Sequence, residues 1–202
     1  MNDSTHIGIP EVYAALELKC EEFGFDMPSD VHVGTLLKTL IASKPAANVL
    51  ELGTGIGLSL AWMIDGLDND SQLTTVDNDP RLSELAEQFF GTDPRVNIIC
   101  QDGAEWITNY KGSKFDLIFA DTWPGKYNTL DETLALLKTG GFYLIDDMSL
   151  RSDWPEGHAE KAERLINVLE KRQDLSMVKM DWATGVIVCT NRVTPSSKKL
   201  KS

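Results

Sequence analysis

The run Asn48-Val-Leu-Glu-Leu-Gly-Thr-Gly-Ile-Gly-Leu-Ser59 sets glycines at 53, 55 and 57 between an apolar stretch and an amphipathic one. Glycine lets a backbone bend sharply and leaves room for a ligand where a Cβ would stand. If a strand enters this turn and a helix leaves it, the first N–H groups of the helix face the crevice at the carboxyl edge of a sheet. A dinucleotide fingerprint is spaced G-x-G-x-x-G, so that a pyrophosphate fits against the helix. Here the spacing is G-x-G-x-G, and Glu51 lies two residues before the first glycine. A carboxylate at that point repels a pyrophosphate and suits the ammonium or a hydroxyl of an aminoacyl nucleoside. Asp77 ends the next apolar run, twenty residues after Gly57, where a carboxylate can accept from both ribose hydroxyls. Asp102 follows the third run. Either aspartate would also serve as a helix N-cap.

A second set of carboxylates stands further along. Phe115-Asp-Leu-Ile-Phe-Ala-Asp121 is followed by Thr122-Trp-Pro-Gly-Lys-Tyr127, and Tyr143-Leu-Ile ends in Asp146-Asp147. If these two runs are neighbouring strands, Asp121, Asp146 and Asp147 meet at one edge. Three converging carboxylates repel one another unless protonated or bridged by a cation. Hard oxygen ligands suit Mg²⁺, Ca²⁺ or Mn²⁺. Such an ion could bind an acceptor hydroxyl and lower its pKa. His158 is a candidate base, although a histidine at a helix start is more often a surface or capping residue.

These side chains need a scaffold, and the apolar pattern supplies one. Short apolar runs at Val49–Leu52, Leu73–Val76, Val96–Cys100, Leu117–Ala120 and Phe142–Ile145 read as strands. Amphipathic runs at Leu58–Leu67, Pro80–Phe90, Ala104–Tyr110 and Thr129–Leu137 read as helices between them, the last ended by Gly140-Gly141. Asp79-Pro80 is a cap followed by a first-turn proline. Alternation of this kind predicts a parallel sheet covered on both faces. After a helix near Glu160–Lys171, the strands Ser176–Met180 and Gly185–Thr190 are joined by only Asp181-Trp182-Ala183-Thr184, which requires an antiparallel hairpin. Two helices, Pro10–Phe23 and Val31–Ile41, precede all of this, with Ser29 or Asp30 as the cap of the second.

The motif at Glu51–Ser59, with Asp77 and Asp102 at successive strand ends, resembles the class I S-adenosylmethionine-dependent methyltransferases. The Asp121 segment and the Asp146-Asp147 pair resemble the catechol O-methyltransferase family and its bacterial relatives, over about Asn48 to Thr190. That resemblance implies a Rossmann-like α/β fold: a mostly parallel seven-stranded sheet with an antiparallel C-terminal hairpin strand and helices on both faces. It implies that Glu51, Gly53, Thr54, Gly55, Ser59, Asp77, Asn78, Asp102, Gly103, Ala104, Asp121 and Trp123 hold the cofactor. It further implies that Asp121, Asp146 and Asp147 bind a divalent cation, Mg²⁺ first, and that a small hydroxylated molecule is the acceptor. The family's catalytic lysine falls three residues after the first metal aspartate, where this chain has Pro124. Lys126 is the available substitute, with Asp121 beside it as the second catalytic residue. The Asn/Asp-Pro-Pro-Tyr/Phe signature of amino-group methyltransferases is missing, which counts against adenine or glutamine as acceptor. A metal-independent transferase, an NAD(P)-dependent oxidoreductase and a non-catalytic cofactor-binding module are the competing readings.

Bulk properties narrow the partners. The 202 residues suit one domain, and the net charge of −12 disfavours nucleic acid and anionic membranes. No apolar run is long enough to cross a bilayer, and Met1 to Pro10 has no secretory pattern. Cys20, Cys100 and Cys189 show no metal-ligand spacing, and Cys100 and Cys189 are expected as buried, reduced thiols of a cytoplasmic protein. Residues 1–47 are expected to cover the active site or to make a homodimer, 48–193 to form the transferase domain, and 194–202 to be a disordered tail. Met148 to His158, with Trp154 and Pro155, is expected to shape the acceptor site.

Overall fold

The structure is a computed structural model that describes residues 8–149 and 157–192. The expected tail, and the part of the Met148–His158 segment that carries Trp154 and Pro155, lie outside the described residues.

Two helices open the chain, α1 (Tyr13–Phe23) and α2 (Val31–Ala42). Gly24 ends α1 in the left-handed conformation (φ 62°), and the Asp30 carboxylate caps α2 by accepting from the His32 N–H at 2.8 Å. Then β1 (Asn48–Leu52), α3 (Leu58–Gly66), β2 (Gln72–Asp77), α4 (Pro80–Phe90), β3 (Val96–Cys100), α5 (Gly103–Asn109) and β4 (Phe115–Ala120) alternate. They are followed by α6 (Leu130–Ala135), β5 (Leu137–Ile145), α7 (His158–Glu170), β6 (Leu175–Met180) and β7 (Val186–Asn191).

The seven strands form one sheet in the order β3-β2-β1-β4-β5-β7-β6. All pairs from β3 to β5 are parallel, while β7 runs antiparallel to both β5 and β6. This is the expected Rossmann-like arrangement closed by a hairpin. The chain builds outward in one direction from β1 and in the other from β4, so the crevice at their carboxyl ends is the natural ligand position.

Side chains of the central strands alternate between two cores, as the two-residue period requires. Val49, Leu117 and Phe119 join Leu16, Leu37, Trp62 and Leu85 under α1–α4. Leu50, Leu52, Ile118 and Ala120 join Ile107, Leu134, Leu165 and Leu169 under α5–α7. Gly34 brings α2 against α3: a Cβ there would lie 2.3 Å from Trp62 Cδ1.

Two expectations fail locally. Gly140-Gly141 does not end a helix. It lies inside β5, where the pairing with β4 shifts between Phe115 and Leu117, and Gly140 (φ 76°) supplies the irregular turn. The preceding helix stops at Ala135 because Leu137 is already paired with Phe115. Cys100 is exposed, since β3 is the edge strand and is covered least; Cys189, on the inner β7, is buried.

Candidate cofactor groove and acidic edge

The glycine turn is anchored from below by a buried polar network. Glu51 is fully buried, and its two oxygens accept from Ser59 Oγ and Thr75 Oγ1, each at 2.6 Å. Thr75 Oγ1 also meets Thr54 Oγ1 at 2.6 Å. Burial pushes the Glu51 carboxyl up to about 8, with a smaller push from the Asp77 charge, and the two hydroxyls work against this. Both Glu51 oxygens therefore face the protein, and Glu51 does not line the groove above it. Asp77 both holds the turn and lines the groove: its oxygens accept from the Gly55 N–H at 3.0 Å and the Asp79 N–H at 2.9 Å.

Above the turn lie two adjoining cavities of about 180 and 320 Å³ that share Gly53, Asp77 and Thr122. The smaller is bordered by Gly55, Ser59, Asp121 and Asp147, and the larger by Asn78, Asp102, Gly103 and Trp123. Ala104 follows Gly103 into α5 without joining the lining. Asp102 also caps α5, accepting from the Glu105 N–H at 2.8 Å. Gly53 (φ 97°) is required here, because a Cβ would sit 3.1 Å from the Asp121 carbonyl oxygen and from Thr122 Cβ. Four aspartates line the two cavities, and no lysine, arginine or histidine does. Sequence reading missed Phe25, Met27 and Ser29, which reach the smaller cavity from the α1–α2 connection. Their signals were the Ser29-Asp30 cap, read as a helix boundary, and the general expectation that residues 1–47 cover the site.

At the carboxyl ends of β4 and β5 the three expected carboxylates do come to one edge. Asp121 Oδ2 accepts from Ser29 Oγ at 3.1 Å. Asp146 Oδ1 accepts from both the Asp147 N–H (2.8 Å) and Thr184 Oγ1 (2.9 Å). Asp147 holds a left-handed backbone (φ 60°) and lines the smaller cavity. His158 donates a ring N–H to the Asp147 carbonyl at 3.1 Å. Lys126 is buried, 3% exposed, and Nζ donates to the Asp146 carbonyl at 2.8 Å. The turn Trp123–Asn128 aims it inward: the Lys126 N–H bonds to Trp123 O and the Gly125 N–H to Asn128 O, while Tyr143 donates its hydroxyl to the Gly125 carbonyl.

Burial, and next the Asp146 charge, raise Asp121 well above the usual carboxylate range, while the Lys126 charge pulls it down. Asp146 is pushed up to about 6 by burial and then by Asp147. As placed, these residues do not converge on a resident divalent cation. One Asp146 oxygen is turned to its own loop, one Asp121 oxygen accepts from Ser29, and the buried ammonium of Lys126 supplies positive charge at the Asp146 carbonyl. Among the described residues no three His, Cys, Asp or Glu groups are arranged to hold a metal. The three carboxylates expected to share Mg²⁺ thus reach one edge, and a shared cation is not shown.

The sheet order, the glycine turn and the crevice between β1 and β4 define a Rossmann-like protein of the methyltransferase type. The O-methyltransferase family model matches residues 15–188, and the chain belongs to that family. Relatives include proteins of Mycolicibacterium vanbaalenii and Mycolicibacterium smegmatis, both provisionally named O-methyltransferases, each 32% identical over 136 residues and 65% of this chain. The match spans 60% and 65% of their respective lengths. Among solved structures, the O-methyltransferase TomG of Streptomyces achromogenes, in complex with SAM, superposes with a TM-score of 0.82 at 21% identity, covering 94% of this chain and 93% of that one. An O-methyltransferase of Bacillus cereus, in complex with SAH, gives 0.79 at 18% identity, covering 92% and 93%. At these identities the superpositions establish the fold alone.

Proposed function

We propose that this chain transfers a methyl group from S-adenosylmethionine to a hydroxyl of a small molecule. The observation that carries the reading is the charge of the groove. Four aspartates and no basic side chain line it, which suits a cationic aminoacyl nucleoside and disfavours a pyrophosphate. Gly53 and Gly55 line the groove without a side chain to fill it, and TomG and the Bacillus cereus protein hold SAM and SAH on the same fold. In this reading Asp77 takes the ribose hydroxyls, Asp102 and Asn78 the adenine end, and Asp121 and Asp147 the methionine end, each supported by its position in the groove lining. Thr54 and Ser59, with Glu51 beneath them, hold the turn in shape.

When bound, S-adenosylmethionine supplies a methyl group on a positively charged sulfur, open to in-line attack by an oxygen nucleophile. The acceptor hydroxyl must lose its proton. Asp121 is suited to receive it, because burial beside Asp146 raises its affinity for protons. Lys126 acts through its charge: fixed to the Asp146 carbonyl, it offsets two carboxylates and favours the ionised form of both. This is the metal-independent form of the reaction, and the carboxylate geometry above favours it over a cation-assisted one.

Calorimetric titration with S-adenosylhomocysteine and with NADP⁺ tests the donor, and transfer of labelled methyl to a panel of phenols tests the acceptor. Binding of S-adenosylhomocysteine, with transfer undiminished by a chelator, is expected. Preference for NADP⁺ would overturn the donor assignment, and activity lost to chelator and restored by Mg²⁺ would return the cation to the mechanism.

A further inference from the structure

A third cavity, of about 490 Å³, lies between the β4–α6 connection and α7. On one side stand Trp123, Lys126, Tyr127, Asn128 and Leu130. On the other, Lys161, Arg164, Leu165 and Val168 follow an i, i+3, i+4, i+7 stripe along one face of α7. Its charge is opposite to that of the groove: three basic side chains line it and no acid does, in a chain of net charge −12.

Two of these three cations, Lys161 and Arg164, are not neutralised by a described carboxylate. Arg81, Arg95 and Arg172 each fork onto an aspartate two residues away, at 2.7–3.2 Å. Arg164 and Lys161 form no ion pair with a described residue. Lys161 Nζ instead rests 3.6 Å from the centroid of the Trp123 ring, and that ring is 56% exposed. The Tyr127 hydroxyl is buried and has no hydrogen-bond partner among the described residues. A buried hydroxyl without a partner costs stability until something fills its place. Trp123 borders both this cavity and the larger part of the cofactor groove, and Lys126 joins the cavity to the acidic edge.

We propose that this cavity holds the aromatic, carboxylate-bearing end of the acceptor, the ring lying among Trp123, Tyr127, Leu165 and Val168, the carboxylate paired with Arg164 and Lys161, and the hydroxyl end directed past Lys126 toward the acidic edge. The inference rests on the methyl-transfer reading for the identity of the reaction, and not for the binding. A guanidinium presents two parallel donors to a carboxylate, which an ammonium alone cannot do. Trp123 thereby serves two ligands, the nucleoside on one side and the acceptor on the other.

The test compares 3,4-dihydroxybenzoate with 3,4-dihydroxybenzyl alcohol, which differ in the anionic group, by calorimetry on the wild-type chain with S-adenosylhomocysteine present and absent. The acid is expected to bind about tenfold or more tightly than the alcohol, the range a charge-assisted hydrogen bond supplies. That advantage should disappear in Arg164→Gln combined with Lys161→Gln and be reduced but not lost in Arg164→Lys. Unchanged affinity for S-adenosylhomocysteine in these variants shows that the fold is intact. Equal binding of acid and alcohol, or a preference for the acid that persists in the double variant, overturns the proposal. Failure of S-adenosylhomocysteine to bind would overturn the methyl-transfer reading instead, and the titrations on the free protein would still decide the carboxylate preference.

Discussion

Replacing Glu51 by glutamine should change the pH dependence of stability far more than stability itself. In the folded chain the carboxyl is fully buried and raised to about 8, against 4.5 for the free group, with burial as the main cause. A folded value above the unfolded one means that the native state binds more protons across that window, so stability falls as pH rises from 4.5 to 8. Below the window the acid is neutral in both states and contributes no pH dependence. Above it, the folded chain carries a buried anion with only Ser59 and Thr75 to solvate it. At about 1.4 kcal/mol per pH unit, the full window is worth about 5 kcal/mol. For a domain of this size that is about 10–20 °C in Tm. Glutamine has the same shape and no titration, and either hydroxyl can turn to accept from its amide. Its cost near pH 5 is therefore expected within about 1 kcal/mol. Melting curves of both proteins from pH 5 to pH 9 should cross, with the variant more stable on the alkaline side. Taking the difference between the two cancels the titration of Asp121 and Asp146. Parallel Tm profiles across this range would refute the reasoning.

Other changes bear on the groove and its frame. Asp77→Ala removes the acceptor of the Gly55 N–H and the proposed ribose anchor, and should weaken S-adenosylhomocysteine binding by about ten- to a hundredfold in a calorimetric titration. Lys126→Met removes the charge that draws protons away from Asp121 and Asp146, so the rise of methyl transfer with pH should move to higher pH; an unmoved profile would leave Lys126 a packing residue. Gly34→Ala forces a methyl group into the Trp62 ring and should destabilise the chain by about 1–3 kcal/mol in denaturant titration. With a thiol reagent on the native chain, Cys100 should label quickly and Cys189 only on unfolding.

What could be read from the sequence was what local spacing encodes. The glycines at 53, 55 and 57 and the carboxylates Asp77, Asp102 and Asp121 sit at strand ends, and a strand end is set by a handful of neighbouring residues. The hairpin of β6 and β7 was legible because a short connection permits nothing else. The boundary between α6 and β5 was not, because Leu136-Leu137 fits either element and the choice is made by pairing of Leu137 with Phe115 on another strand. The same division runs through the site. Glu51 was visible as a carboxylate before a glycine turn, but its partners Ser59 and Thr75 come from α3 and β2, so its role beneath the groove rather than in it depends on packing. Lys126 in sequence is a lysine among turn residues, open to reading as a solvated one. Only the inward turn at Gly125, held by Tyr143 from β5, takes it out of water and sets it beside Asp146. The metal expectation meets the same division. Three aspartates at neighbouring strand ends define a place, whereas a cation needs their oxygens directed together, and here the Asp147 N–H and Thr184 hold one oxygen of Asp146 and Ser29 one oxygen of Asp121, which depends on packing that spacing does not encode.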